Sequence, residues 1–91
     1  MPRIRKIVWS SGFKRAFRKR VIGKPSEPLF KERLEIFMQD PYDARLKTHK
    51  LTGRLDGLWA IAITYDCRVI FKFLSDERVL LIDIGTHDEV Y

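Results

Sequence analysis

The hydrophobic pattern changes period once, near residue 58, and this limits the fold more than any other feature. Before the change, apolar side chains recur at helical spacing: Phe13, Ala16, Phe17 and Val21 make one stripe, and Phe30, Leu34, Phe37 and Met38 make a second. After it they alternate. Trp59, Ile61 and Ile63 are interleaved with Ala60, Ala62 and Thr64. Val69, Phe71 and Phe73 are interleaved with Arg68, Ile70 and Lys72, and Leu80, Ile82 and Ile84 with Val79, Leu81 and Asp83. A period of 3.6 places apolar groups along one side of a helix, and a period of two places them on one face of a strand.

The punctuation agrees. Ser10 and Ser11 offer N-caps for a first helix, and Gly23 and Pro25 end it. Ser26 begins a second helix, Pro28 is tolerated in its first turn, and Pro41 stops it. Ile4 to Trp9 alternates imperfectly and reads as a strand. Residues 41–57 read as an irregular, basic loop. Tyr65-Asp66-Cys67 and Ser75-Asp76-Glu77 are short enough to be hairpin connections. The predicted order is β-α-α-β-β-β: an α+β fold in which an antiparallel sheet carries two N-terminal helices on one face. The two aromatic stripes read as its core, and the other face can be concave and wet. With 91 residues, one domain spanning 1–91 is expected.

The formal charge of +6 points to a polyanionic partner. Its placement is uneven: every charged residue in 1–24 is Lys or Arg, Lys14 and Arg18 of the first helix among them. Arg45, Lys47, Lys50 and Arg54 form a second basic run. A single cysteine, Cys67, rules out an intrachain disulfide and suits a reducing, cytoplasmic setting. There is no apolar run of bilayer length and no long apolar stretch after the basic start, so neither a membrane span nor a signal peptide is expected. The two histidines and one cysteine lack zinc spacing, and no phosphate-binding glycine loop is present.

His49 and His87 are the only histidines, one before the sheet and one just after its last strand. RNA is cut by its own 2′-hydroxyl when a base takes the hydroxyl proton, an acid protonates the leaving 5′-oxygen and a cation offsets the phosphorane charge. His49, His87, Asp66 and Arg68 would supply these parts. Taken one at a time, each also has an ordinary reading. The histidines suit any surface, Asp66 suits a turn, and Arg68 and Lys72 suit a solvated sheet face or a phosphate clamp.

The C-terminal half resembles the YafQ branch of the RelE/ParE toxins. The resemblance lies in Thr48-His49-Lys50-Leu51-Thr52-Gly53, then Gly57, Asp66-Cys67-Arg68-Val69-Ile70-Phe71-Lys72, Ile84-Gly85-Thr86-His87 and the aromatic Tyr91. It implies a toxin of a type II toxin–antitoxin system that cuts mRNA on the ribosome without metal or organic cofactor. Such a toxin is silenced by a cognate antitoxin in a hetero-oligomer. It implies His87 as general acid, His49 and Asp66 on the base side, Arg68 against the phosphorane, and Tyr91 stacking on a base. Arg45, Lys47, Lys50, Arg54, Lys72, Lys14 and Arg18 would contact RNA. Two positions depart from the branch: Ala62 stands where its second-strand histidine is expected, and Cys67 where an aromatic follows the aspartate. The competing readings are a ParE-like gyrase poison on the same fold and a non-catalytic RNA- or ribosome-binding module.

Overall fold

The structure, a computed structural model, describes residues 3–91. Strand β1 (Lys6–Trp9) leads into helix α1 (Ser11–Arg20). Ser10 is the N-cap: its Oγ accepts the Phe13 N–H at 3.0 Å. Arg18, Lys19 and Arg20 occupy the last turn, where the helix dipole favours cations. Helix α2 (Ser26–Gln39) follows. It has no side-chain cap, but the Glu27 carboxylate in its first turn accepts the Gly23 N–H at 2.9 Å. Of the second predicted stripe, Phe30 and Phe37 are buried and Leu34 is partly so, whereas Met38 is exposed and lies outside the core.

The basic segment is more ordered than its sequence suggests. Two short 3-10 turns (Ala44–Leu46 and Gly53–Leu55) flank a two-residue strand, β2 (His49–Lys50). His49 is therefore a sheet residue. A single pair of residues is too short to show a period. Strands β3 (Trp59–Thr64), β4 (Cys67–Phe73) and β5 (Arg78–Gly85) form the expected meander, and a one-turn helix, α3 (His87–Val90), follows.

The sheet order is β1-β5-β4-β3-β2. The β2–β3, β3–β4 and β4–β5 pairings are antiparallel, as expected, whereas β1 lies parallel to β5, with Trp9 opposite Leu81. The architecture is thus α+β with a mixed five-stranded sheet. Because β1 stops at Trp9, the second half of β5 pairs with β4 on one side and has no strand on the other. Helix α1 packs along β5 there: the Ser10 N–H donates to the Leu81 carbonyl at 3.1 Å, and Arg20 Nη1 to the Ile84 carbonyl at 3.0 Å. A bare strand edge is a pairing hazard, and a helix laid along it removes the hazard.

The core lies between the helices and one sheet face. Trp9, Phe13, Phe17 and Phe30 form an aromatic cluster with ring centroids 4.8–6.1 Å apart. Phe71 meets Phe37 edge-on at 5.0 Å and Phe73 at 5.2 Å. The other face is not wet throughout. Ala60 and Ile70 are fully buried yet lie outside the core cluster, so something covers the middle of that face as well.

Candidate active site

Thr86 caps α3 in a reciprocal box. Its Oγ1 accepts the Glu89 N–H at 3.3 Å, and Glu89 Oε1 accepts the Thr86 N–H at 2.7 Å. The sequence carries the signal as Thr86-His87-Asp88-Glu89, a Ser/Thr followed three residues later by Glu. The Thr86 N–H, and to a smaller degree Arg20, hold the Glu89 carboxyl below the usual range. At about 100° per residue, α3 places His87 and Tyr91 on one side and Glu89 on the other. The His87 and Tyr91 rings meet edge to face, with centroids 4.5 Å apart.

Two cavities follow from this division. The first, of about 360 Å³, is lined by Leu51, Thr52, Arg54, Leu55, His87 and Tyr91. Here the basic segment before the sheet and the residues after it converge, and Arg54 Nη2 donates to the Tyr91 carbonyl oxygen. The second, of about 390 Å³, lies on the Glu89 side, with Arg20, Lys24, Ser26, Thr64, Asp66 and Cys67 in its wall. Asp66 is exposed in the β3–β4 turn, and its Oδ1 accepts the Thr64 hydroxyl at 3.0 Å. His87 and Tyr91 are thus brought together, and Asp66 lies across α3 from them.

His49 pairs with Ala60 at the sheet edge, and its Nδ1 lies 2.9 Å from the Lys47 carbonyl oxygen. A carbonyl only accepts, so the contact calls for a proton on Nδ1, and in that neutral tautomer Nε2 keeps its lone pair. Lys47 has a left-handed backbone (φ 52°) that helps turn its carbonyl toward the ring. Arg68 lies opposite Ala62 on one side and Gly85 on the other. By strand alternation, His49, Ala62 and Arg68 share the face away from the helices. Gly85 is two residues before His87, so Arg68 lies at the root of α3. Lys50 faces the other way, its Nζ 5.5 Å from the centre of the Trp59 ring.

The remaining basic candidates differ in how free they are. Lys14, Arg18, Lys47 and Lys72 are exposed. Arg45 is forked onto Asp43, with Nε–Oδ1 and Nη2–Oδ2 both 2.9 Å, and its side-chain hydrogen bond draws the Asp43 carboxyl down to about 2. Arg45 therefore brings little uncompensated charge. Cys67 is buried, and burial, followed by the nearby Asp66 and Glu89 carboxylates, pushes its thiol up to about 11. It is a packing residue and not a nucleophile. Among the described residues no cluster of His, Cys, Asp or Glu is arranged to hold a metal ion.

The family described as "Bacterial toxin of type II toxin-antitoxin system, YafQ" matches residues 5–91. The chain belongs to the YafQ family of toxins. Solved structures share its fold. A histidine-to-glutamine mutant of YafQ from E. coli superimposes with a TM-score of 0.77 at 18% identity, over 93% of this chain and 96% of that one. YafQ in the E. coli DinJ–YafQ toxin–antitoxin complex gives 0.74 at 20% identity, over 100% and 99%. A YoeB/ParE toxin from Agrobacterium tumefaciens gives 0.70 at 19%, over 90% and 98%. No curated protein sequence matches the chain. No described helix of the toxin is long and apolar enough to cross a membrane.

Proposed function

We propose that the toxin is a metal-independent endoribonuclease that cuts mRNA in the cytoplasm, on the ribosome. The observation that carries this reading is the pairing of His87 with Tyr91 in one cavity with Arg54, on a helix at whose root β4 holds Arg68 opposite Gly85. An acid, an aromatic platform and a phosphate-binding cation are what an RNA strand needs at its scissile bond.

In the proposed reaction His49 Nε2 takes the proton of the 2′-hydroxyl; Asp66, expected on the base side, lies across α3 from His87 and Tyr91 and is given no proton to move. The 2′-oxygen attacks phosphorus as the bond from phosphorus to the 5′-oxygen breaks, and His87 protonates that leaving oxygen. Arg68 offsets the added charge on the phosphorane, and the Tyr91 ring stacks on a base. The products are a 2′,3′-cyclic phosphate, or the 3′-phosphate it hydrolyses to, and a 5′-hydroxyl. General acid catalysis contributes about 10²–10⁴-fold, so His87→Ala is expected to lose at least about 10²-fold in cleavage rate.

Lys14 and Arg18 on α1, with Lys47, Lys50, Arg54, Lys72 and Arg45, are proposed to line the RNA approach, Arg45 weakly because Asp43 already holds it. The proposed protein partner is a cognate antitoxin, in a hetero-oligomer, as DinJ partners YafQ in the E. coli complex.

Primer extension on mRNA from cells briefly expressing the toxin, beside a His87→Ala control, tests the reading. Discrete in-frame cuts with 5′-hydroxyl ends, seen only with the parent, support it. Cuts with 5′-phosphate ends overturn the chemistry. Intact mRNA with growth arrest points instead to a gyrase poison, and intact mRNA with normal growth to a binding module.

A further inference from the structure

Helix α3 carries the proposed acid and stacking residue, yet it is one turn long. A single turn fixes several backbone angles for one hydrogen bond and does not persist alone in water. The capping box closes its start, but Thr86 and Glu89 both belong to α3 and its cap. They shape the turn without fastening it to the rest of the molecule.

The fastening on the Glu89 side comes from Arg20, at the end of α1. Its Nη1 donates to the Ile84 carbonyl at 3.0 Å and to Asp83 Oδ1 at 3.2 Å, which locks the guanidinium to β5. Its Nε faces Glu89 Oε2 at 3.7 Å. Glu89 thus spends one carboxylate oxygen on the Thr86 N–H and presents the other to Arg20. The side chains pass directly over Gly85. A methyl group added there would lie 2.7 Å from Glu89 Oε1 and 3.0 Å from Arg20 Nη1. Gly85 does not use a left-handed backbone, so the need for glycine is one of space.

We infer that Arg20, acting through Glu89 across the surface of Gly85, is a positioning residue that sets the orientation of His87 and Tyr91 on the opposite side of α3. This rests on the ribonuclease reading above for its catalytic consequence, but not for its structural one. Arg20 lines the cavity on the Glu89 side and not the one lined by His87 and Tyr91. It sits among the basic residues of α1, but its guanidinium is committed to β5 and α3, so RNA docking is not its task. A planar fork is required: one face of Arg20 must hold β5 while Nε remains directed at Glu89, which the single ammonium of lysine does not reproduce. A displacement of about 1 Å in a reacting group costs on the order of 10²-fold in rate.

The test compares the parent with Arg20→Gln, Arg20→Lys and Glu89→Gln. Glu89→Gln can keep the carbonyl that accepts the Thr86 N–H while it turns an uncharged NH2 donor, in place of the carboxylate oxygen, toward Arg20, so it remains informative if the Arg20 variants fold poorly. Two quantities are read on folded protein: single-turnover cleavage with its split into kcat and KM, and the His87 ring proton shifts, which the Tyr91 ring current displaces. Positioning predicts kcat lower by about ten- to hundredfold with KM little changed. It also predicts His87 shifts moving toward those of a free histidine while core methyl shifts stay in place, and Arg20→Lys no better than Arg20→Gln. His87 shifts identical to the parent in both Arg20→Gln and Glu89→Gln overturn the inference. Should the parent fail to cut RNA, the ribonuclease reading falls and the His87 shifts alone decide the positioning role.

Discussion

The strongest quantitative consequence of the structure concerns salt. Helix α1 exposes four cations, Lys14, Arg15, Arg18 and Lys19, while Arg20 is held by Asp83, Ile84 and Glu89. A phosphate contact through each of the four releases counterions, so affinity for a structured RNA should fall with a log–log salt slope of about −3.6 from this helix. Doubling the salt should then weaken binding about twelvefold through α1 alone. The perturbation is the double change Lys14→Gln with Arg18→Gln. These residues are one turn apart on the exposed side, so the folded core is untouched. The α1 contribution should drop to a slope of about −1.8, and doubling the salt should then cost about 3.5-fold. Arg20→Gln should leave the slope near the parental value, because its charge is already compensated. The assay is fluorescence anisotropy of a labelled RNA hairpin across a range of potassium chloride, with ribosome co-sedimentation as the second readout. A double variant with the parental slope would refute the assignment of α1 to the RNA, and an Arg20→Gln slope reduced as much as the double variant's would refute the compensation argument.

Three further outcomes follow from particular side chains. The Tyr91 hydroxyl is buried without a hydrogen-bond partner among the described residues, so Tyr91→Phe should stabilise the fold by about 1 kcal/mol in calorimetry and leave cleavage within about twofold, because stacking needs only the ring. The Cys67 thiol, raised from 9.0 to about 11, should resist a thiol reagent near neutral pH until the protein unfolds. Because the unfolded chain gives up this proton first, stability should be unaffected by Cys67 below about pH 9 and decline by about 2–3 kcal/mol as pH rises toward 11, a decline that Cys67→Ala abolishes in denaturant titrations. Ala62 lies opposite Arg68 on the face shared with His49, so Ala62→His should place a third imidazole beside the reacting strand and raise single-turnover cleavage by about tenfold or more; an unchanged rate would show that this position is not part of the base machinery.

What could be read from the chain by itself was local. Alternation through 59–73 and 79–84 marks β3, β4 and β5 because side chains on a strand face opposite sides in turn, whatever lies beyond them. The Phe13 and Phe30 stripes, the Ser10 cap and the Pro41 stop mark the helices for the same local reason, and the quoted His49, Asp66 and His87 motifs suggested the family. Met38 shows the limit of such patterns: helical spacing places it near the stripe, but only the packing decides how wide the covered face is. The parallel pairing of β1 with β5, the seating of α1 along β5 and the union of residues 51–55 with His87 and Tyr91 all join segments far apart in the chain. Register and loop closure set such contacts, and no periodicity reports them. The same holds for the two sides of α3. The Thr86-x-x-Glu89 cap is legible as letters, and with it the helical turn that pairs His87 with Tyr91. That Asp66 falls on the Glu89 side, and that Arg20 reaches across more than sixty residues to hold that side down, was decided only when the sheet closed around them.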